Sequence, residues 1–330
     1  VFLGTSVAAA ASGAMEPRLV VLGAASLVVF VMGLVDDVRQ LGPAIKLIVQ
    51  LLASVAFCQL GGVRPWTGVA ALDLAISIFW MVGITNAFNL LDNMDGLAAG
   101  IGAIGAGFLT YFLYVEGQSA CAWAVAVASA LAPFLVYNLS PASIYLGDSG
   151  SQLTGFAVGG LSLLSRTHRT RNLLSVIGVP LLVLLLPIID TTLVTVLRLL
   201  HRRSVFRGGR DHTSHRLVRL GMSERRAVLL LYGFALASGS VAVAVRAWDV
   251  GRSLALLPFF GLAALLVVVY VARVKVYDDG ASRERGAAGD DVVFPVRLHR
   301  GRVVAALLAD LVVVAASYYA AYLLRFDGLD

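Results

Sequence analysis

Residues 69–96 read VAALDLAISIFWMVGITNAFNLLDNMDG. The first part, 69–85, is almost wholly apolar, while the remainder carries Asn86, Asn89, Asp92, Asn93 and Asp95 at close to every third place. A helix needs about 20 mostly apolar residues to cross the hydrocarbon core. Polar groups three apart drift around a helix, so Asn86 and Asp95 do not share a face. The helix is therefore expected to end or tighten near 92–96, at a membrane edge.

Working outward, apolar windows of similar length recur at 19–35, 44–60, 97–115, 119–139, 173–197, 226–245, 253–272 and 303–324, with shorter ones at 2–14 and 151–165. Hydrophobic residues make up 59% of the chain and charged ones 14%, against about 25% charged in soluble domains. In lipid each backbone polar group needs an internal partner, which favours helices. The blocks do not alternate as the roughly 10-residue strands of a membrane barrel do. The expected fold is all-α, a polytopic transmembrane bundle of roughly 10–11 helices.

Charge orients the bundle. If the spans are threaded alternately, 18 of the 26 Lys and Arg residues fall in the segments 36–46, 86–96, 138–150, 198–226 and 273–302. The positive-inside rule makes that side cytoplasmic, although the arginines at 166, 169 and 171 lie opposite. Four polar constellations sit on the same side: Asp36-Asp37; Asn86 to Asp95; Asn138 with Tyr145-Leu-Gly147-Asp148-Ser-Gly150; and Asp211-His212-Thr-Ser-His215-Arg216. Hydrophobicity alone fixed the threading, so their coincidence points to a single site. The arginines flank spans, which excludes a nucleic-acid surface. Cys58 and Cys121 lie inside apolar spans and read as small buried hydrophobes.

Each constellation has its own chemistry. Adjacent carboxylates at a membrane edge suit metal-bound phosphate or a base, or form a solvated helix end. Lys46, ten residues after Asp36, suits phosphate or anchors the next helix; Gln50 follows one turn on. Carboxylates with amide oxygens are hard ligands for Mg²⁺, which binds through one or two carboxylates plus substrate phosphate. Helix capping explains one or two of the five polar residues in 86–95, not all. Glycines around Asp148 permit close backbone approach to a ligand, and Asp148 also suits a helix N-cap. Tyr145 suits base stacking or the interfacial aromatic belt. His212 and His215 suit one phosphate or sugar, and no cysteine or further nearby histidine completes a zinc set. Asp190, an acid inside an apolar span, is a functional candidate by default, though remote from the others.

These four motifs, in this order, resemble the polyprenyl-phosphate N-acetylhexosamine-1-phosphate transferases of glycosyltransferase family 4, over about residues 1–250. The resemblance implies transfer of a sugar-1-phosphate, N-acetylglucosamine-1-phosphate or a related one, from a UDP-sugar to undecaprenyl or decaprenyl phosphate. UMP would be released, and a cell-envelope polysaccharide begun. It implies Mg²⁺ (or Mn²⁺), a bacterial plasma membrane, membrane lipid as a partner, and a homodimer. Residue by residue, it implies catalytic Asp36, Asp37 and Asp92, and metal ligands Asn89 and Asp148. Lys46, Asn86, Asp95, Asn138, Tyr145, Gly147, His212, His215 and Arg216 would contact substrate. The family's histidine motif often carries three histidines; Thr213-Ser214 interrupts it here, which argues for a UDP-N-acetylglucosamine-type member rather than the peptidoglycan lipid I synthase. The family has two further helices and a Gly-rich basic loop before the position of Val1, so the sequence is expected to lack its true beginning. The expected domains are a membrane transferase domain at 1–275, a polar cytoplasmic linker at 276–301 and an additional transmembrane helix at 302–330. The rival readings are a transporter, a CDP-alcohol phosphatidyltransferase and a catalytically inactive scaffold. A transporter would place its acids near the midplane and show internal repeats. The phosphatidyltransferase's packed multi-aspartate signature is missing.

Overall fold

The computed structural model describes residues 16–165, 173–202, 204, 209–248 and 250–274. The expected span at 2–14, the arginines at 166–171 and the expected linker and final span beyond 275 lie outside the described residues. Those residues hold eleven α-helices: α1 Pro17–Arg39, α2 Pro43–Phe57, α3 Ala70–Leu91, α4 Leu97–Val115, α5 Ala120–Asn138, α6 Gly147–Leu164, α7 Leu173–Val183, α8 Leu185–Leu200, α9 Thr213–Arg219, α10 Glu224–Ala247 and α11 Val250–Ala272. Six spans are long and apolar enough to cross a membrane, or seven if the bent α7–α8 pair counts as one. The chain is a multi-pass, all-α membrane protein. It divides into two compact units, Val1–Ser253 and Leu254–Asp330. The first contains α1 to α10 and every motif described above.

Local sequence explains where the helices turn. Gln40 takes a left-handed conformation (φ 49°) and ends α1; Pro43 then starts α2 at its first turn, where a missing N–H costs nothing. This short hairpin brings Lys46 of α2 back alongside Asp36 of α1. α3 ends at Leu91, and Gly96 (φ 79°) caps the start of α4, so the polar series breaks from its helix where its spacing predicts. The apolar window at 173–197 reads as one span but is two helices bent by 76°. Pro187 is the physical reason: it has no N–H for the carbonyl of Val183, and its ring crowds that carbonyl.

α6 is the centre of the first unit, packed against α1, α3, α4 and α5. Two glycines allow its closest approaches. A Cβ at Gly33 of α1 would stand 2.5 Å from Ser149 Cα and 2.7 Å from Asp148 O. One at Gly155 of α6 would stand 2.9 Å from Thr85 Cα of α3. Small residues at such crossings let backbones touch, which is how helices gain packing energy in lipid. The neighbour of Gly33 is backbone, so no rotamer change relieves a larger side chain. Gly33→Val is therefore expected to cost about 1–3 kcal/mol and to pull Asp36 and Asp37 away from Asp148. Thermal unfolding in detergent and an activity assay check this; an unchanged midpoint with full activity would contradict the crossing.

The two ends of the bundle differ. The motifs gather at one. At the other, Arg64 donates to the carbonyls of Ser162 and Ser165 at the end of α6, and Arg246 pairs with the buried Glu116 at 2.8 Å.

Candidate active site

The site is assembled from the ends of α1, α3 and α5 and the starts of α2, α6 and α9. At its centre Lys46 Nζ donates to Asp36 Oδ2 (2.5 Å) and to Asp148 Oδ2 (3.0 Å), bridging two carboxylates 112 residues apart in sequence. Asp36 is buried, and its other oxygen accepts from Leu41 N at 2.6 Å, closing the α1–α2 hairpin. Asp37 has a different task. It accepts from the backbone N–H groups of Asp148 (2.8 Å) and Ser149 (3.1 Å), which are orphan donors of the first turn of α6. Gly147 (φ 67°) makes that contact possible, since a Cβ there would lie 2.9 Å from the Asp37 carboxylate. The Asp36-Asp37 pair thus divides: one carboxylate faces the cationic centre and the other fixes the backbone that carries Asp148.

Asn86 donates to Gln50 Oε1 at 2.6 Å, and Gln50 donates to Gln152 Oε1 at 2.8 Å, giving a buried amide chain from α3 through α2 to α6. Asn89 Nδ2 lies 3.1 Å from Ser151 Oγ and within hydrogen-bonding reach of the Asp148 carboxylate. Gln152 lies four residues after Asp148, one helical turn away on the same face. That spacing was the available signal for a residue the sequence reading passed over.

The turn 92–96 carries the rest of the series. Asp95 Oδ2 accepts from Ala142 N at 2.9 Å, and Asn138 Nδ2 donates to Ile144 O at 2.9 Å, so both hold the 139–146 loop. Tyr145 stands on that loop's rim, 72% exposed. Burial raises the Asp92 carboxyl to about 7, with the negative charges of Asp148, Asp37 and Asp95 adding to the effect. A raised carboxyl favours the folded state while protonated, so its contribution is full near pH 4 and is lost as pH rises through about 7. In metal-free buffer the thermal midpoint is expected to fall across that interval in wild type. Asp92→Asn should remove that component; an identical pH profile for both proteins would contradict the assignment.

The last motif reaches the site through α9. Ser214 Oγ donates to Asn93 Oδ1 at 2.5 Å, joining α9 to the 92–96 turn. The resemblance implies that His212, His215 and Arg216 face the diphosphate and sugar. They differ in exposure: His212 and Arg216 are buried against protein, and His215 is half-buried. His212 Nδ1 lies 2.8 Å from Asp190 Oδ2, and Arg216 Nε donates to Asp211 O at 2.8 Å. Burial, then the neighbouring His212 and Arg210, hold the His215 imidazole below its ordinary pKa, so it is largely neutral at physiological pH. Arg198 of α8 grips Asp211 through two parallel bonds of 2.8 and 2.7 Å, a pair with no precedent in the sequence reading.

Among the described residues no three His, Cys, Asp or Glu side chains form a ready-made metal cage. The donor set does fit a hard cation that shares its shell with substrate. Asn89 and Asp148 adjoin, and exchanging the Asn89 amide's N and O, which is isosteric, presents an amide oxygen beside the carboxylate.

A family model described as glycosyl transferase family 4 matches residues 19–166. A probable undecaprenyl-phosphate N-acetylglucosaminyl 1-phosphate transferase of Bacillus subtilis is 31% identical over 70% of this chain and 67% of its own length. A decaprenyl-phosphate N-acetylglucosaminephosphotransferase of Mycolicibacterium smegmatis is 31% identical over 80% of this chain and 71% of its own. A phospho-N-acetylmuramoyl-pentapeptide-transferase of Synechococcus is 30% identical over 67% of each. The chain spans about two thirds of the length of these curated relatives.

Proposed function

The chain belongs to glycosyl transferase family 4, and from that premise we propose that it is a phosphoglycosyltransferase. It moves N-acetylglucosamine-1-phosphate, or a related N-acetylhexosamine-1-phosphate, from a UDP-sugar to a polyprenyl phosphate and releases UMP. The relatives' names carry the choice of substrates. What supports the chemistry is the Asp36–Lys46–Asp148 cluster, a cation held among carboxylates at the end of a membrane bundle.

In the reaction an oxygen of the lipid phosphate attacks the β-phosphorus of the UDP-sugar. The bond from that phosphorus to the bridging oxygen breaks, and UMP leaves. Both reactants are anions, so the work of the protein is positioning and neutralising charge. Lys46, held by Asp36, supplies one positive charge at the centre. Asn89 and Asp148 would hold Mg²⁺, which when bound neutralises diphosphate charge and polarises its oxygens. Asp37 keeps the first turn of α6, and so Asp148, in register. Asp92, whose carboxyl burial and its acidic neighbours raise to about 7, would ionise more readily beside cationic charge. Asp92, Asp95, Asn138 and Tyr145 would line the nucleotide side, Asn86 and Gly147 would support the cation site, and His215, the less buried of the two histidines, would meet substrate, with His212 and Arg216 behind it.

Threading the spans alternately assigns 18 of the 26 basic residues to the side of these motifs, which supports a cytoplasmic face of a bacterial plasma membrane, where a water-soluble donor and a lipid acceptor meet. A nearly apolar cavity of about 480 Å³ between α3 and the bent α7–α8 pair, lined by Phe79, Trp80, Ile84, Leu181 and Ile188, suits a stretch of prenyl chain. The test is UMP release by the purified full chain with UDP-N-acetylglucosamine and a polyprenyl phosphate. Release is expected to need both lipid and Mg²⁺. No release with any UDP-N-acetylhexosamine, from folded protein, would overturn the reading in favour of an inactive scaffold.

A further inference from the structure

Asp190 lies in α8, one turn beyond the α7–α8 bend, and is 1% exposed. A carboxylate buried inside an apolar helix is costly unless both oxygens find donors. Here both do, and the donors come from consecutive residues of the fourth motif. Oδ2 meets His212 Nδ1 at 2.8 Å, and Oδ1 accepts from Thr213 N at 2.7 Å. Thr213 is the first residue of α9, whose backbone N–H has no partner within its own helix. A side chain 23 residues earlier supplies the cap, where a local Ser or Asp usually does.

This grip settles the orientation of an imidazole and which of its nitrogens holds the proton of the neutral ring. A carboxylate oxygen facing Nδ1 accepts a proton from it, so neutral His212 carries its hydrogen on Nδ1 and leaves Nε2 as an acceptor. The ring cannot turn without losing a buried hydrogen bond. The effect passes on to its neighbours. The rings of His212 and His215 stand edge-on with centroids 6.5 Å apart, and Ser214 between them is bonded to Asn93 of the 92–96 turn. Asp190 therefore fixes the starting point of α9, and α9 sets where His215 stands relative to Asn93.

We infer that Asp190 is a positioning residue of the transfer site: through its two bonds it holds His212 as the Nδ1–H tautomer and seats α9 so that His215 meets the substrate. The inference rests on the reaction proposed above. It differs from a purely structural role, because a structural anchor needs the carboxylate's bulk and bonds but has no stake in which imidazole nitrogen carries the proton.

The experiment uses the full chain in lipid nanodiscs with ring-¹⁵N-labelled histidine. His212→Gln assigns the His212 signals, and spectra are taken over a pH series so that the tautomer is read from the neutral ring. Wild type is expected to show a protonated Nδ1 and a bare Nε2. In Asp190→Asn the amide N–H faces Nδ1, so the tautomer is expected to invert. UMP release should then fall roughly 10–100-fold in kcat with donor KM little changed and the thermal midpoint nearly kept. Asp190→Glu, which restores the carboxylate, is expected to recover the Nδ1–H signature and part of the rate. An Nε2–H tautomer in wild type overturns the inference, as does a wild-type kcat in Asp190→Asn. If Asp190→Asn does not fold, the wild-type spectrum and Asp190→Glu decide the matter. If wild type itself releases no UMP, the proposed reaction falls, and the spectrum still tests the hold on His212 alone.

Discussion

Asp148→Ala is expected to abolish UMP release, by about three orders of magnitude, while leaving the bundle folded. The residue stands where four elements meet: it takes one bond of the bridging Lys46, adjoins Asn89, and rides on backbone held by Asp37. Removing one preorganised electrostatic partner from a reacting centre typically costs 10²–10³ in rate. Here the alanine would remove both a proposed metal ligand and the partner that aims Lys46. Stability should move little or rise, because Asp148 is one of the negative charges that raise the Asp92 carboxyl. The two readouts together are decisive. A dead, folded protein places Asp148 in the chemistry; a protein that loses its fold makes Asp148 a structural residue instead.

Arg198→Met is expected to give the largest loss of stability, about 3–5 kcal/mol, because it withdraws the guanidinium from a buried ion pair. The side chains of Arg198 and Asp211 are only 4% and 2% exposed, and the pair is bidentate. A buried pair is often replaceable by apolar residues at little cost, whereas half of one is not. Combining Arg198→Met with Asp211→Leu is therefore expected to recover most of the thermal midpoint. Activity should not return with it, since Asp211 begins the segment that carries His212 and His215. Full stability in the single variant would show that the pair does not anchor the loop.

Much of this was legible in the sequence. Long apolar blocks gave the spans, since a helix in lipid hides its polar backbone and advertises its length in hydropathy. The three-residue spacing of Asn86, Asn89, Asp92 and Asp95 announced the end of a helix, and α3 stops at Leu91. The order of the motifs along alternating spans placed them at one end, where bonds such as Lys46 to Asp148 and Ser214 to Asn93 join them.

Other features were out of reach. Carboxylates serve metals, cations and backbone N–H groups equally well, so spacing cannot say that Asp37 and Asp95 hold backbone while Asp36 faces Lys46. Burial divides the histidine motif, and burial depends on how the segment folds back onto α8. The bend between α7 and α8 has proline signals at Pro180 and Pro187, but an apolar window counts through them. Asp190 looked remote because Asp190 and His212 are far apart along the chain; the bend and the return of the loop bring them together.

The most direct test of the proposed chemistry identifies both products of turnover by mass spectrometry, with UDP-N-acetylglucosamine, a polyprenyl phosphate and Mg²⁺. Attack on the β-phosphorus yields UMP and a polyprenyl diphosphate-linked N-acetylglucosamine in equal amounts. UDP with a sugar on a lipid monophosphate would mean attack at carbon, and UMP with free sugar phosphate would mean hydrolysis. Either result would contradict a site built around Lys46 and Asp148 to join two phosphates.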